Sequence, residues 1–186
     1  MLYPLIIILI IIAIPVAYFI SIYNKIITLK NRIKNSWSQI DVQLKRRYDL
    51  IPNLVETVKG YMEHEKETLE LVIKARSAAM SASTNAEQIQ AENELGSVLN
   101  RLLVLVEDYP DLKANKNFLE LKEELVSTEN RIAFARQNYN DQVMFYNNIV
   151  NIFPSSIVAR MSGAMEREYF ELSDLKEREP VNVSFK

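Results

Sequence analysis

Residues 37–61 read WSQIDVQLKRRYDLIPNLVETVKGY. Within them Ile40, Leu44, Tyr48, Ile51, Leu54 or Val55, Val58 and Tyr61 or Met62 recur at three- and four-residue steps. That spacing draws one apolar stripe down a helix. The stripe crosses Pro52 without changing phase. Proline lacks a backbone donor and crowds the preceding turn, so a kink or short break is expected there.

Toward the N-terminus the same stripe continues through Trp37, Ile33, Leu29 and Ile26. No linker interrupts it, so the first bundle helix and whatever precedes it are expected to form one rod. What precedes it is apolar: residues 1–23 contain no Asp, Glu, Lys or Arg. About 20 helical residues cross a hydrocarbon core of roughly 30 Å. Leu5, Ile8, Ile12, Pro15 and Phe19 mark this span as a transmembrane anchor, with Tyr18 and Tyr23 toward the headgroup layer. A cleaved signal peptide is the alternative. Against it, no Lys or Arg precedes the apolar run, the run exceeds a typical signal core, and no A-x-A site follows.

Lys25, Lys30, Arg32 and Lys34 follow the span and are expected to face anionic lipid headgroups. The positive-inside rule then places the N-terminus outside and the following domain in the cytoplasm, at the cell's inner (cytoplasmic) membrane. Residues 24–51 carry seven Lys/Arg against two Asp, a net of +5. The whole chain sums to −2, which leaves −7 for residues 52–186. A basic neck under an acidic body suits a lipid surface and argues against nucleic acid as a partner.

The remaining chain suffices for one domain with its own core. There is no cysteine, hence no disulfide or thiolate metal site. Glycine occurs only three times, fewer than an all-β or nucleotide-binding fold would use in turns. After Gly60 the helical pattern resumes through Leu69, Val72 or Ile73, Arg76 and Met80; residues 81–86, SASTNA, read as a turn. A further helix is expected over about 86–108, ended by Pro110. The loop YPDLKANKN leads to a long helix over about 116–151, whose stripe runs from Phe118 through Tyr139, Val143, Tyr146 and Val150 to Phe153. Ser155 or Ser156 is expected to cap a short helix over 157–161. Residues 165–177 suit either another helix or a partly extended segment. The fold class is therefore all-α: an N-terminal transmembrane helix (1–23), a basic juxtamembrane helix (24–51), an antiparallel helical bundle (52–179) and an extended tail (180–186).

Chemistry is sparse. His64-Glu65 begins an HExxH pattern, but Thr68 stands where the second histidine is required. With one histidine in the chain, a histidine-based metal site or a Ser-His-Asp triad has little to build on. Neither catalysis nor a cofactor is expected. The stronger signal is polar. Glu129 and Arg136 are seven residues apart, and the pair Tyr139-Asn140 recurs as Tyr146-Asn147. Seven residues are nearly two helical turns, so these groups stay in register with the apolar stripe. A buried hydrogen-bonded network is expected, with Arg46 or Arg47, Asp49 or Glu107 completing it from facing helices. A ligand cleft between helices is the alternative.

At the C-terminus Val181, Val183 and Phe185 alternate with polar residues after Pro180. A lone strand pattern needs a partner. The same segment or a groove of a neighbouring copy, a groove between the chain's own helices and a frayed end are the options. The first makes the tail an assembly element and the protein a homo-oligomer.

The chain resembles the LemA family. The resemblance rests on the quoted stretch with His64-Glu65 after it, on EDYPDLKANKNFLELKEEL, TENRIAFARQNYN and the second YN, and on FPSSIVAR and PVNVSF. It implies one N-terminal membrane helix and a cytoplasmic antiparallel bundle, and it implies no reaction. One branch of the family is associated with magnetosome membranes, and other members are linked with membrane metalloproteases of the HtpX type. Together with the residues, this favours a membrane-anchored, non-enzymatic scaffold that self-associates; the alternative is an adaptor or regulator of such a protease.

Overall fold

A computed structural model describes residues 2–62 and 64–170. The expectations for Val181, Val183 and Phe185 lie outside them. Among the described residues there are six helices and no strand: α1 (Leu2–Lys59), α2 (Lys66–Ser81), α3 (Asn85–Val106), α4 (Pro110–Lys113), α5 (Lys116–Asn151) and α6 (Ser155–Met161). They form two compact units. The first contains α1 up to Asp41 and residues 133–169; the second contains residues 42–132 and Phe170.

Of the kink or short break expected at Pro52, the break does not occur: α1 is one continuous helix of 58 residues. Proline at position 52 leaves the carbonyl of residue 48, four back, without its helical donor. That carbonyl is filled from another helix, because Arg76 Nε donates to the Tyr48 carbonyl oxygen at 2.7 Å. Arg76, read above as part of an apolar stripe, satisfies the defect.

Burial along α1 changes sharply. Before Ile22 the apolar residues whose burial is described are exposed, apart from half-exposed Phe19; Ile12, for example, is 60% exposed. From Ile26 the stripe Ile26, Leu29, Ile33 and Ile40 is buried. The N-terminal part is long and apolar enough to cross a bilayer, with mean hydropathy 1.9. The buried part is core.

In the first unit Trp37 meets Tyr139 of α5 edge to face, with ring centroids 5.2 Å apart. Gln39 accepts from Asn138 Nδ2 at 3.3 Å. Val143, Tyr146 and Asn147 continue this buried face of α5. Phe153, expected on the stripe, is instead 76% exposed, because α5 ends at Asn151 and the chain turns before it.

In the second unit Leu44, Ile51, Leu54 and Val58 of α1 are buried together with residues of α2, α3 and α5. Arg47 meets Glu129, and Tyr61 meets Asn115, so α5 runs antiparallel to α1. On α2 the buried positions are Thr68, Leu69, Val72, Ala75 and Ala79; Met80 is exposed. Small alanines there let α2 and α3 approach closely. The turn between them ends at Thr84, whose hydroxyl accepts the Glu87 amide at 3.2 Å while the Glu87 carboxylate accepts the Thr84 amide. This reciprocal capping box satisfies two orphan donors. Ser83 adds its own amide and hydroxyl to the same carboxylate, and these bonds hold the Glu87 carboxyl below its ordinary pKa.

The expected loop at 109–117 contains a single-turn helix, α4, with Pro110 at its start, where a missing amide costs nothing. Asn115 Oδ1 then accepts the Phe118 amide and caps α5. At α6 neither serine caps. The residue before the helix is Pro154, and Ser155 Oγ instead donates back to the Ile152 carbonyl at 2.7 Å. After α6, Gly163 adopts φ +66°, a left-handed conformation that glycine alone takes without strain, and residues 164–170 are non-helical.

Candidate functional site

The polar register expected along α5 resolves into two clusters, one in each unit. In the second unit Arg47 is 1% exposed although it lies in the basic run KRR. It stands one turn from Leu44 and from Ile51, on the core face of α1. Its Nη1 donates to Glu129 Oε2 of α5 at 2.6 Å. Its Nη2 donates to Glu92 Oε2 of α3, and the Tyr48 hydroxyl donates to the other oxygen of the same carboxylate. With Arg76 bonded to the Tyr48 carbonyl, α1, α2, α3 and α5 meet at one point. Both Glu92 oxygens are engaged and the residue is buried, so this carboxylate balances charge; it is not an open base.

The partners proposed from sequence distribute as follows. Arg47 and Glu129 come together. Arg46 is a neighbour but pairs with exposed Glu124 at 3.0 Å. Asp49 is exposed. Glu107 is in neither cluster: it accepts from Lys113 and lies 3.7 Å from Lys122, and the Lys113 hydrogen bond and charge hold its carboxyl below the ordinary range. Glu92 was not anticipated. Its signal was available, since it falls on the α3 stripe between Ile89 and Leu95, where an unpaired carboxylate could not remain.

The cluster in the first unit is built on neutral amide and phenol side chains. Asn147 Nδ2 donates to the Arg167 carbonyl at 2.9 Å, and its Oδ1 accepts the Arg167 amide at 2.9 Å. One side-chain amide thus satisfies both main-chain groups of one residue. The Tyr139 hydroxyl donates to the Glu168 carbonyl at 3.2 Å, and Asn151 donates to the Glu166 carboxylate. The repeated Tyr-Asn pattern therefore holds the non-helical segment 166–168 against α5. Burial raises the Tyr139 phenol above its ordinary pKa, with Arg167 pulling weakly the other way. Tyr146 is fully buried, and its hydroxyl has no hydrogen-bond partner among the described residues. Arg136 and Asn140 are half-buried in the same unit.

Surface grooves lie in the second unit, two of them wide. One, of about 790 Å³, is polar and lined by Arg46, Asn53, Thr57, Glu120, Glu124 and Arg131 among others. The other, of about 990 Å³, is lined by Val55, Met62, His64, Leu69, Ile73 and the rim lysines 59, 66 and 74. Neither is lined by the Tyr-Asn residues. Among the described residues no three His, Asp or Glu side chains gather as metal ligands. Of the anchor positions, Ile12 and Pro15 are exposed and Phe19 half-exposed; Lys25, Arg32 and Lys34 are exposed and Lys30 partly so.

An apolar rod running into a helical core, with polar clusters that hold helices and backbone together, defines a membrane-associated helical protein. The LemA family profile matches residues 36–185, and the chain belongs to the LemA family. Protein LemA of Metamycoplasma hominis is 27% identical over 177 residues, covering 94% of this chain and 80% of the relative. Magnetosome protein MamQ of Magnetospirillum gryphiswaldense is 24% identical over 174 residues, covering 80% of this chain and 64% of its own length. Magnetosome protein MamQ 2 of Paramagnetospirillum magneticum is 24% identical over 175 residues, with the same coverage.

Proposed function

We propose that the protein is a non-enzymatic scaffold, anchored in the cytoplasmic membrane through α1, that self-associates with its domain on the cytoplasmic side. The observation that carries this reading is the continuity of α1. The helix exposed as an apolar rod before Ile22 is the same helix that is buried from Ile26 onward. No flexible joint separates them, so the first unit is held rigidly relative to the bilayer. Copies confined to one plane in one orientation reach high local concentration, and weak contacts between them add up. Relatives named as magnetosome proteins support a role on a membrane. The acidic body and basic neck support a lipid partner and the cytoplasmic orientation.

The test is the native mass of the full chain in mild detergent, alone and without residues 180–186. A homo-oligomer whose mass falls on truncation supports assembly through the tail. Unchanged mass on truncation moves the contacts to the helices. A monomer, or a fixed complex with a co-purifying membrane protease, overturns self-association and favours the adaptor role.

A further inference from the structure

We propose that α6 and its flanks form a second membrane contact, an interfacial foot that rests in the headgroup layer beside the α1 anchor. The inference rests on the reading of α1 as that anchor, and it concerns the first unit alone.

The height of the foot follows from helix register. Trp37 packs on Tyr139 and Gln39 bonds Asn138, so α5 runs against α1 in this unit. From Tyr139 to the end of α5 at Asn151 is twelve residues, and twelve residues back from Trp37 is Lys25. Both paths cover about 18 Å at the helical rise. The end of α5 therefore stands level with Lys25, two residues past Tyr23, where the charge-free span stops. Burial gives the same level independently, since Ile26 is the first buried residue of α1 among those described.

At this level the chain turns and exposes a run of large apolar side chains. Ile152, Phe153, Ile157, Met161 and Met165 are all exposed, Met161 by 72%. Ile157 and Met161 are one turn apart on α6, while Val158 and Ala159 face inward and are buried. Amphipathic helices with this pattern lie in the bilayer interface, their apolar face sunk about 5–10 Å. Arg160 on α6 and Lys25 on α1 supply positive charge at the same level for anionic headgroups. The occupant is the bilayer because the patch is continuous in height with the span.

The chain has no cysteine, so single cysteines are unique labelling sites. Full-length Y23C, M161C and F134C proteins, each carrying an environment-sensitive fluorophore, are reconstituted in vesicles of phosphatidylcholine and phosphatidylglycerol containing shallow spin-labelled lipid. Phe134 is as exposed as Met161 but stands seventeen residues up α5 from Asn151, about 25 Å away. The expected result is quenching at Met161 matching that at Tyr23, with none at Phe134. In a second variant I157E, labelled at F153C, quenching falls while helicity is unchanged.

Met161 unquenched with Tyr23 quenched overturns the foot and leaves the anchor standing. If an aqueous quencher also fails to reach Met161 in that case, protein covers the patch. Quenching at Phe134 as well overturns the foot, because the unit then lies along the membrane. An unquenched Tyr23 overturns the anchor and the foot with it.

Discussion

In the second unit Arg47 is enclosed by two carboxylates on two other helices; in the first, Asn147 bonds the main-chain amide and carbonyl of a single residue, Arg167. Both residues sit where an apolar stripe would place a hydrophobic side chain. One is charged and meets charge, so helices distant in sequence are tied by side chains alone. The other is neutral and meets backbone, so a segment with no regular structure obtains the hydrogen bonds that a helix would have given it. The buried ion pair fixes which helices meet, and its loss strands a charge. The amide fixes one segment, and its loss releases that segment.

The largest expected effect comes from stranding the charge. Arg47→Met leaves Glu92 buried without its cation and is expected to cost about 3–5 kcal/mol in denaturant unfolding of the detergent-solubilised protein. Adding Glu92→Leu and Tyr48→Phe is expected to restore most of that loss, because apolar replacement of a whole buried cluster is often near neutral. A single-variant cost under about 1 kcal/mol would show that water or another group reaches Glu92.

The amide clamp sharpens the contrast. Asn147→Leu removes two hydrogen bonds to Arg167, about 2 kcal/mol, and the loss is expected to be local. Tryptic cleavage after Arg167 should accelerate about tenfold or more, with little change in the unfolding midpoint. Equal loss at both readouts would erase the distinction between the two clusters.

Tyr139 gives the smallest effect and a pH signature. Its folded pKa is raised by burial, so the proton is held more tightly in the folded protein. The associated stability is fully present below the ordinary phenol value and is lost as pH rises through the raised one. Tyr139→Phe removes one hydrogen bond, about 1 kcal/mol at neutral pH, and should flatten the alkaline decline of the melting temperature. Parallel alkaline declines in the two proteins would assign that loss to other tyrosines.

Much of the architecture was legible because periodicity is a local property. The bounds of α5, the start of α3 and the continuity of α1 through the membrane neck follow from apolar spacing, and the turn at 81–86 from its composition. The misreadings share one cause. Pro52 signals a break only if the carbonyl it strands stays empty, and Arg76, 24 residues downstream, fills it. Phe153 continues the spacing but not the helix. Ser155 has the chemistry of a cap, yet its hydroxyl finds a carbonyl behind it first.

The sequence by itself determined that this chain is helical, that its N-terminal stretch is apolar enough for a bilayer, and that polar residues ride on its core stripes. These are properties of spacing and composition, read within a few turns. Only the tertiary structure decided which partners those polar residues take. Arg47 lies 45 residues from Glu92 and 82 from Glu129, and Asn147 lies 20 from Arg167. No local rule selects among the many carboxylates and peptide groups at such distances. Helix packing does so, by bringing Glu92 and Glu129 within hydrogen-bond reach of Arg47, and Arg167 within reach of Asn147.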